Sequence, residues 1–404
     1  MSTSLLYHAC GVRGYTLTKT EFSSGMMLFF LEVQPRHCRC SACGSRDVIR
    51  RGSQTRWFRN VPFGTHLTWM VVDLPRVECR QCQALRQIKI GFAEPRRSYT
   101  KTLAQYVLDL AQHMTIQDIA DHLALGWDTV KEIVKTDLAK RYARPPLKEV
   151  RLLAIDEISI GHGHRYFTVV LDWESGRVLF VGKGKGADAL LPFWRRLKRN
   201  RVRIKAVAID MSAAYKSAIE AHLPKAQIVF DRFHIVKLLN EKLSELRRQL
   251  YRQATDDLQK EVLKGTRWLL LKHPDNLDVE RNERARLEDA LKLNESLATA
   301  YYLKEDLREL WNQGDKAQAR RFLQSWYLLA MASGIRVIQQ FARTLLAHAS
   351  GILAWYDYPI STGPLEGTNN KIKTMQRQHY GLRDQEFFRL KIYGLHRTKY
   401  ALVG

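Results

Sequence analysis

The sequence predicts a multidomain protein in which an α/β domain is split by an all-helical insertion. A small four-cysteine unit and a helix-turn-helix precede that domain. Three observations carry this reading. All six cysteines fall before residue 83 of a 404-residue chain. Strand-like runs alternate with short helical stretches from residue 151 to 231, and nearly uniform helical patterning follows to residue 357. The third is a formal net charge of +24, from 65 Lys and Arg against 41 Asp and Glu. A chain this long exceeds one ordinary core, and 45% hydrophobic residues are enough to bury several, which excludes a disordered protein. The charge favours a polyanionic partner, nucleic acid first. Basic residues are spread along the chain rather than gathered on one amphipathic helix, which argues against a membrane surface. No apolar run is long enough for a membrane span, and the stretch from Met1 to His8 lacks the features of a signal peptide. The expected location is the cytosol.

The first unit is defined by two C-x-x-C knuckles, Cys40/Cys43 and Cys79/Cys82, with 35 residues between them. Four thiolates so spaced can close a tetrahedral shell around a structural Zn²⁺. Strand-like residues between the knuckles, such as His66 to Val72, suggest a small sheet. A disulfide framework does not suit a reducing compartment. A redox dithiol is natural for one such pair and not for two. His37 and Cys38 are spare potential ligands beside the first knuckle, and Cys10 reads as a small buried residue.

Glu94-Pro95-Arg96-Arg97-Ser98 reads as a basic linker. Helical patterning then covers Thr102 to His113, Thr115 to Leu125 and, after Gly126-Trp127, Asp128 to Lys135. Thr115 and Asp128 are suitable N-caps. Ile119, Leu123, Val130 and Ile133 offer a shared apolar face, and Ala120 is small where helices would cross. This is a helix-turn-helix pattern, whose second helix enters the major groove of DNA; a plain helical hairpin shares the periodicity. In the DNA-binding reading Asp128, Thr129, Lys131 and Glu132 lie nearest the bases, with Lys135 and Arg141 near phosphates.

Beyond Arg144-Pro145-Pro146 the runs Arg151–Asp156, Tyr166–Asp172 and Arg177–Gly182 read as an antiparallel meander, the first two joined by a turn carrying His162 and His164. A helix from about Ala187 to Arg199 follows, then the buried run Ile204–Asp210, a helix from Ala213 to His222 and a last strand at Gln227–Asp231. The order β-β-β-α-β-α-β is that of the RNase H-like fold. In it the strands carrying Asp156 and Asp210 lie side by side and parallel, which brings two carboxylates together. Such a pair repels unless a divalent cation lies between, and hard oxygens suit Mg²⁺ or Mn²⁺. Glu157, the next residue on the strand, points to the other face. Asp231 and His234 stand three apart at a strand-helix junction, which fits either a cap or a site role. The Gly182–Gly186 stretch lacks the spacing of a phosphate loop, so Lys183 and Lys185 read as DNA-backbone contacts or as turn residues.

Gly363-Pro364 breaks the preceding structure and opens a helix. Glu366, Asn369, Asn370, Lys373 and Arg377 then share one face, with Ile372 and Met375 on another. Glu366 supplies a third carboxylate to Asp156 and Asp210, and the set suits two-metal phosphoryl transfer. The insertion between the last strand and this helix carries Trp268, Trp311, Trp326 and Trp355, most economically core anchors. The boundaries are 1–95 for the zinc unit, 96–147 for the helix-turn-helix, 235–357 for the insertion, and 148–234 with 358–404 for the split domain.

Together these pieces resemble the ISL-three family of bacterial insertion-sequence transposases over nearly the whole chain. The carrying residues are the double knuckle, Ala154-Ile155-Asp156-Glu157, Ala208-Ile209-Asp210-Met211-Ser212, Val229-Phe230-Asp231-Arg232-Phe233-His234, Arg267-Trp268-Leu269-Leu270-Leu271-Lys272 and Glu366-Gly367-Thr368-Asn369-Asn370. One departure is the missing proline after the first knuckle cysteine. The resemblance implies a DDE triad at Asp156, Asp210 and Glu366, with Asp231 and His234 in its neighbourhood. It also implies binding to double-stranded DNA at terminal inverted repeats, cleavage at the element ends and joining of 3′-hydroxyls to target DNA by a homodimer or larger synaptic complex. Asn369, Asn370, Lys373 and Arg377 then become DNA contacts or supports of the acids. A catalytically silent DNA-binding regulator and a structure-specific nuclease of the same fold are the rival functions.

Overall fold

The structure, a computed structural model, describes residues 5–161, 165–378 and 384–395. The turn residues His162 and His164 lie outside the described residues. Two compact units form, one from residues before Arg144 together with those from Met375 onward, the other from Arg144 to Thr374.

In the first unit a short helix α1 (Leu5–Cys10) leads into strands β1 (Tyr15–Ser23), β2 (Met26–Val33), β3 (Val48–Phe63), β4 (His66–Cys79) and β5 (Leu85–Gln87). They form one sheet in the order β1-β2-β4-β3, with β5 also paired to β4. β2 and β4 run parallel and the other pairs antiparallel. The long β3–β4 hairpin turns at Gly64, whose φ of +61° suits glycine. Pro75 in β4 has no N–H for the ladder, and the β3 register shifts between Arg50 and Ser53 opposite it. Met70, Val72, Leu74 and Val77 of β4 bury against Phe58, Phe29 and Leu31, so the segment between the knuckles has a core of its own.

The stretch expected as a linker is instead pinned to β3. Ser98 O accepts from Arg59 N–H at 2.7 Å, Arg59 O accepts from Thr100 N–H at 2.9 Å, and Arg97 O accepts from Arg56 at 3.0 Å. Three helices follow: α2 (Lys101–Leu110), α3 (Ile116–Leu123) and α4 (Trp127–Tyr142). Thr115 and Asp118 form a reciprocal capping box at the start of α3. α4 begins two residues earlier than expected: Gly126 is its N-cap, and Asp128 sits in the first turn near the positive end of the helix dipole. Ile119, Leu123, Val130, Ile133 and Ala120 are buried together, as their periodicity required. The buried Arg59 guanidinium donates to Leu123 O at 2.9 Å, which places a cation at the carbonyl end of α3 and ties it to the sheet.

In the second unit strands β6 (Leu152–Gly161), β7 (Arg165–Asp172) and β8 (Val178–Lys183) make the antiparallel meander. Helix α5 (Leu191–Arg199) follows a 3₁₀ turn, then β9 (Ala206–Ile209), α6 (Ala213–His222) and β10 (Gln227–Phe230). The sheet order is β10-β9-β6-β7-β8, with β9 parallel to both β6 and β10. The central strands are apolar on both faces, as a covered sheet requires.

Residues 232–356 are helical: α7 (Arg232–Gln253), α8 (Asp257–Gly265), α9 (Glu283–Lys292), α10 (Glu295–Arg308), α11 (Lys316–Ala332), α12 (Arg336–Ala347) and α13 (Ala349–Leu353), with short 3₁₀ turns between. α10 and α12 pack on α7, and their core is continuous with that of the sheet. α13 returns the chain to β10, and a Cβ at Gly351 would meet the Phe230 ring at 2.5 Å. Trp311 and Trp326 are buried anchors as expected, and Trp355 packs partly buried against the same core. Trp268 departs from that expectation, being 65% exposed. Helix α14 (Gly363–Gln378) starts where Gly-Pro predicts, with Ile372 and Met375 inward. Finally α15 (Gln385–Tyr393) packs on α4 in the first unit, where Phe387 joins the helix-turn-helix core. Among the described residues no helix is long and apolar enough to cross a membrane.

Candidate active site and nucleic-acid interface

The four knuckle thiols converge. Sγ atoms of Cys40, Cys43, Cys79 and Cys82 all lie within 4.8 Å of one another, with Cys40 to Cys82 at 3.6 Å and Cys43 to Cys79 at 3.5 Å. Backbone N–H groups of Cys43 and Ala42 hold the Cys40 thiol down at about 6, and that of Cys82 lowers Cys79. Thiolates so stabilised are what Zn²⁺ takes as ligands. Cys38 is buried in the sheet core, and neither it nor His37 joins the group.

The carboxylates are arranged differently. β6 and β9 pair in parallel with Leu152 opposite Ala206 and Ala154 opposite Ala208. Two further residues on each strand carry Asp156 and Asp210 to the same level, on strands about 4.8 Å apart. β6 does not end at Asp156 but continues to Gly161; it is β9 that stops there, leaving Asp156 on an uncovered length of strand. Burial raises the Asp156 carboxyl to about 6, with the Asp210 and Glu157 charges adding to the effect. Its Oδ2 accepts from Asn369 Nδ2 at 2.9 Å, and its Oδ1 accepts from Glu157 N–H at 2.8 Å. Asp210 Oδ1 accepts from Ser212 N–H at 3.0 Å. Glu157 is engaged elsewhere, as its opposite orientation predicts: Tyr215 donates to its Oε2 at 2.7 Å.

Glu366 stands in the first turn of α14, exposed, one helical turn before Asn369. Among the described residues its carboxylate makes no hydrogen bond or ion pair, and only the four thiols are close enough to form a ready group of metal ligands. Asn369 was open to either a DNA contact or a supporting role. It is 8% exposed and bonded to Asp156, with its Oδ1 buried and lacking a hydrogen-bond partner. That burial removes it from the DNA-facing set, whereas Asn370, Lys373 and Arg377 remain exposed.

Asp231 and His234 form a pair at the start of α7. Asp231 Oδ2 accepts from His234 Nδ1 at 3.0 Å and from Thr362 Oγ1 at 2.7 Å. Burial opposes the Asp231 charge, but these bonds outweigh it and its pKa falls. The same hydrogen bond raises the pKa of His234 against burial, with the charges of Asp231, Asp156 and Asp210 adding to the effect. Thr362 was missed by sequence reading; its only signal is its place just before the Gly-Pro helix start.

On the recognition side, Lys131 and Lys135 both pair with Asp384, at 3.2 and 3.1 Å, and Lys135 with Glu386 at 2.7 Å. These lysines, expected to reach DNA, are thus held by the N-terminal turn of α15. Thr129 is half-buried; Asp128 and Glu132 are exposed, Glu132 paired with Arg97 at 2.9 Å. Lys183 and Lys185 are exposed, Lys185 lying over the Tyr166 ring at 5.0 Å.

A helix-turn-helix followed by an α/β domain with grouped carboxylates is an arrangement suited to acting on DNA. Residues 153–392 match a family described as Transposase, and residues 88–137 match the helix-turn-helix domain of transposase family ISL3. The chain is 35% identical over 388 residues, 95% of each protein, to the transposase for insertion sequence element IS1001 of Bordetella parapertussis. It is 28% identical over 384 residues to the transposase for IS1557 of Mycobacterium tuberculosis, covering 88% of this chain and 85% of that one. A solved structure, the Drosophila P element transposase strand transfer complex, aligns over 73% of this chain and 91% of its own at 10% identity, with a TM-score of 0.40. The chain belongs to the ISL3 family of insertion-sequence transposases.

Proposed function

We propose that this transposase works by DDE chemistry on the ends of its element. Asp156, Asp210 and Glu366 form the catalytic triad of an RNase H-like domain, residues 148–234 and 358–404, split by the insertion 235–357. The observation that supports this most is the parallel β6–β9 register that levels Asp156 with Asp210, together with the Asn369 bond that brings the helix of Glu366 to Asp156.

The donor set fits Mg²⁺ or Mn²⁺: hard carboxylate oxygens, a buried acid whose charge is disfavoured, and an unpartnered amide oxygen on Asn369. A divalent cation bound there supplies charge neutralisation of the phosphoryl group and a lowered pKa for an attacking oxygen. Asn369 orients Asp156, while Asp231 holds the His234 ring near the acids and anchors the start of α14 through Thr362. Water attacks the phosphodiester at the element end and leaves a 3′-hydroxyl. That hydroxyl then attacks a target phosphodiester, and the target's own 3′-oxygen departs. Residues 1–95 hold Zn²⁺ through the four thiolates, and residues 96–147 read the terminal inverted repeats, with Thr129 near the bases. Lys183, Lys185, Lys373 and Arg377 hold backbone phosphates without reading sequence. Joining two ends requires two copies, so the working form is a homodimer on DNA, in the cytosol at the nucleoid.

The test supplies pre-cut terminal-repeat DNA and a target plasmid with Mg²⁺. Joined product is the expected result. Hydrolysis without joining would identify a nuclease, and binding with neither reaction would identify a silent regulator; each contradicts the proposal.

A further inference from the structure

The insertion contains a basic groove distinct from the carboxylate cluster. It encloses about 520 Å³ between α7 and the turn after α8, with Lys237, Asn240, Arg247, Arg248 and Arg267 in its lining and Glu241 its single acid. Arg247 donates from Nη1 to Leu263 O at 2.8 Å, but its Nε is buried with no hydrogen-bond partner, and so is Asn240 Oδ1. Burial, then the charges of Arg267 and Arg248, push the Arg247 pKa down. Clustered guanidinium groups with an unused buried N–H gain from an anion that offers several acceptor oxygens. Beside them Arg267 lies over the Trp268 ring at 4.6 Å, and Trp268 is 65% exposed although the neighbouring Leu269 and Leu270 are buried. An apolar surface of that size left in water beside a cluster of guanidinium groups is the pairing found where single-stranded nucleic acid binds.

We propose that this groove holds an unpaired stretch of DNA strand, its phosphates on Arg247, Arg248 and Arg267 and one base stacked on Trp268. Bases inside a duplex are already stacked on each other, and free phosphate would leave Trp268 unused, so an unpaired strand is the occupant that uses both features. The groove lies on the helix that carries His234, and thirteen residues separate His234 from Arg247, roughly 20 Å along the axis. A strand frayed or cut at the carboxylates and running along α7 therefore reaches it. This inference rests on the transposase reading and deepens it.

The test measures binding of the full chain to a fluorescent oligo-dT of about 15 nucleotides and to a blunt duplex of unrelated sequence. Trp268→Ala and Arg267→Gln, both at exposed positions, each weaken oligo-dT binding by ~10-fold, while Trp268→Phe stays within ~3-fold of the parent. Arg248→Gln with Arg267→Gln lowers the slope of log affinity against log salt by ~1.4 for the single strand. Duplex affinity changes by less than ~2-fold, and unchanged circular dichroism and Tm verify the fold. Unchanged oligo-dT affinity in both Trp268→Ala and Arg267→Gln overturns the inference, as does an equal loss on duplex and single strand. Wild-type protein that binds duplex but not oligo-dT defeats this inference alone; protein that binds neither defeats the proposed cutting and joining of DNA as well.

Discussion

The thiol cluster and the carboxylate cluster differ in how far each is assembled. The thiols are fully converged: two knuckles at the ends of one hairpin aim four sulfurs at a point, and local N–H groups already stabilise the thiolates of Cys40 and Cys79. The carboxylates are gathered but not closed. Asp156 is half-buried with its charge disfavoured, Asp210 accepts from the N–H of Ser212, and Glu366 makes no hydrogen bond or ion pair among the described residues. A closed shell makes metal binding part of folding, whereas an open one leaves oxygens available to a reacting phosphate. The first site should therefore fail structurally when disturbed, and the second chemically.

The largest effect expected from this contrast is at the thiols. Cys79→Ser, or strong chelation, removes one Zn²⁺ per chain and melts the β3–β4 sheet, lowering Tm by roughly 10 °C or more and abolishing DNA binding. Metal analysis with a thermal scan checks it; a chelated protein with unchanged melting would erase the contrast. Asp231→Asn comes next. It replaces the buried carboxylate that accepts from both His234 and Thr362 and costs about 2–3 kcal/mol in urea unfolding. Asn369→Ala costs about 1–2 kcal/mol, because a half-buried carboxylate loses its donor, and it lowers strand joining more than it lowers DNA affinity. The smallest effect concerns α15. Asp384 is held at about 2: burial works against its charge, but the Phe387 N–H, Lys135 and Lys131 outweigh it. A carboxylate depressed below its unfolded value of about 4 contributes stability above pH 4 and loses it as pH falls to 2. Asp384→Asn should remove that acid-sensitive portion, at most about 1 kcal/mol for partly exposed pairs. Equal acid sensitivity of the two proteins would contradict it.

Much of the fold was legible because it depends on short-range pattern. The knuckles, the capping box at Thr115 and the helix start at Gly363-Pro364 are each written in a few neighbouring residues. The pairing of β6 with β9 followed from strand order. What sequence hid were contacts between distant residues sharing no spacing rule. Asn369 lies 213 positions from Asp156, and Thr362 lies 131 from Asp231. The Asp384 clasp on Lys131 and Lys135 spans a similar gulf, and it pairs two lysines expected near DNA with a carboxylate of their own chain. The stretch at residues 94–98 looked like a linker by composition, yet its backbone groups complete the ladder of β3. Trp268 was misjudged because hydrophobicity alone does not say which tryptophan of a helical region faces water.

The most direct measurement is strand joining by Asp156→Asn, Asp210→Asn and Glu366→Gln, each at saturating Mg²⁺ with DNA affinity and Tm measured in parallel. Each variant should keep DNA affinity within about threefold, and Glu366→Gln, at an exposed position with no partner among the described residues, should keep its Tm within about 2 °C. Joining by each should fall by at least ~1,000-fold, as befits groups acting on the reacting phosphate. Near wild-type joining by any one of the three would remove that residue from the triad and contradict the account of the carboxylate site.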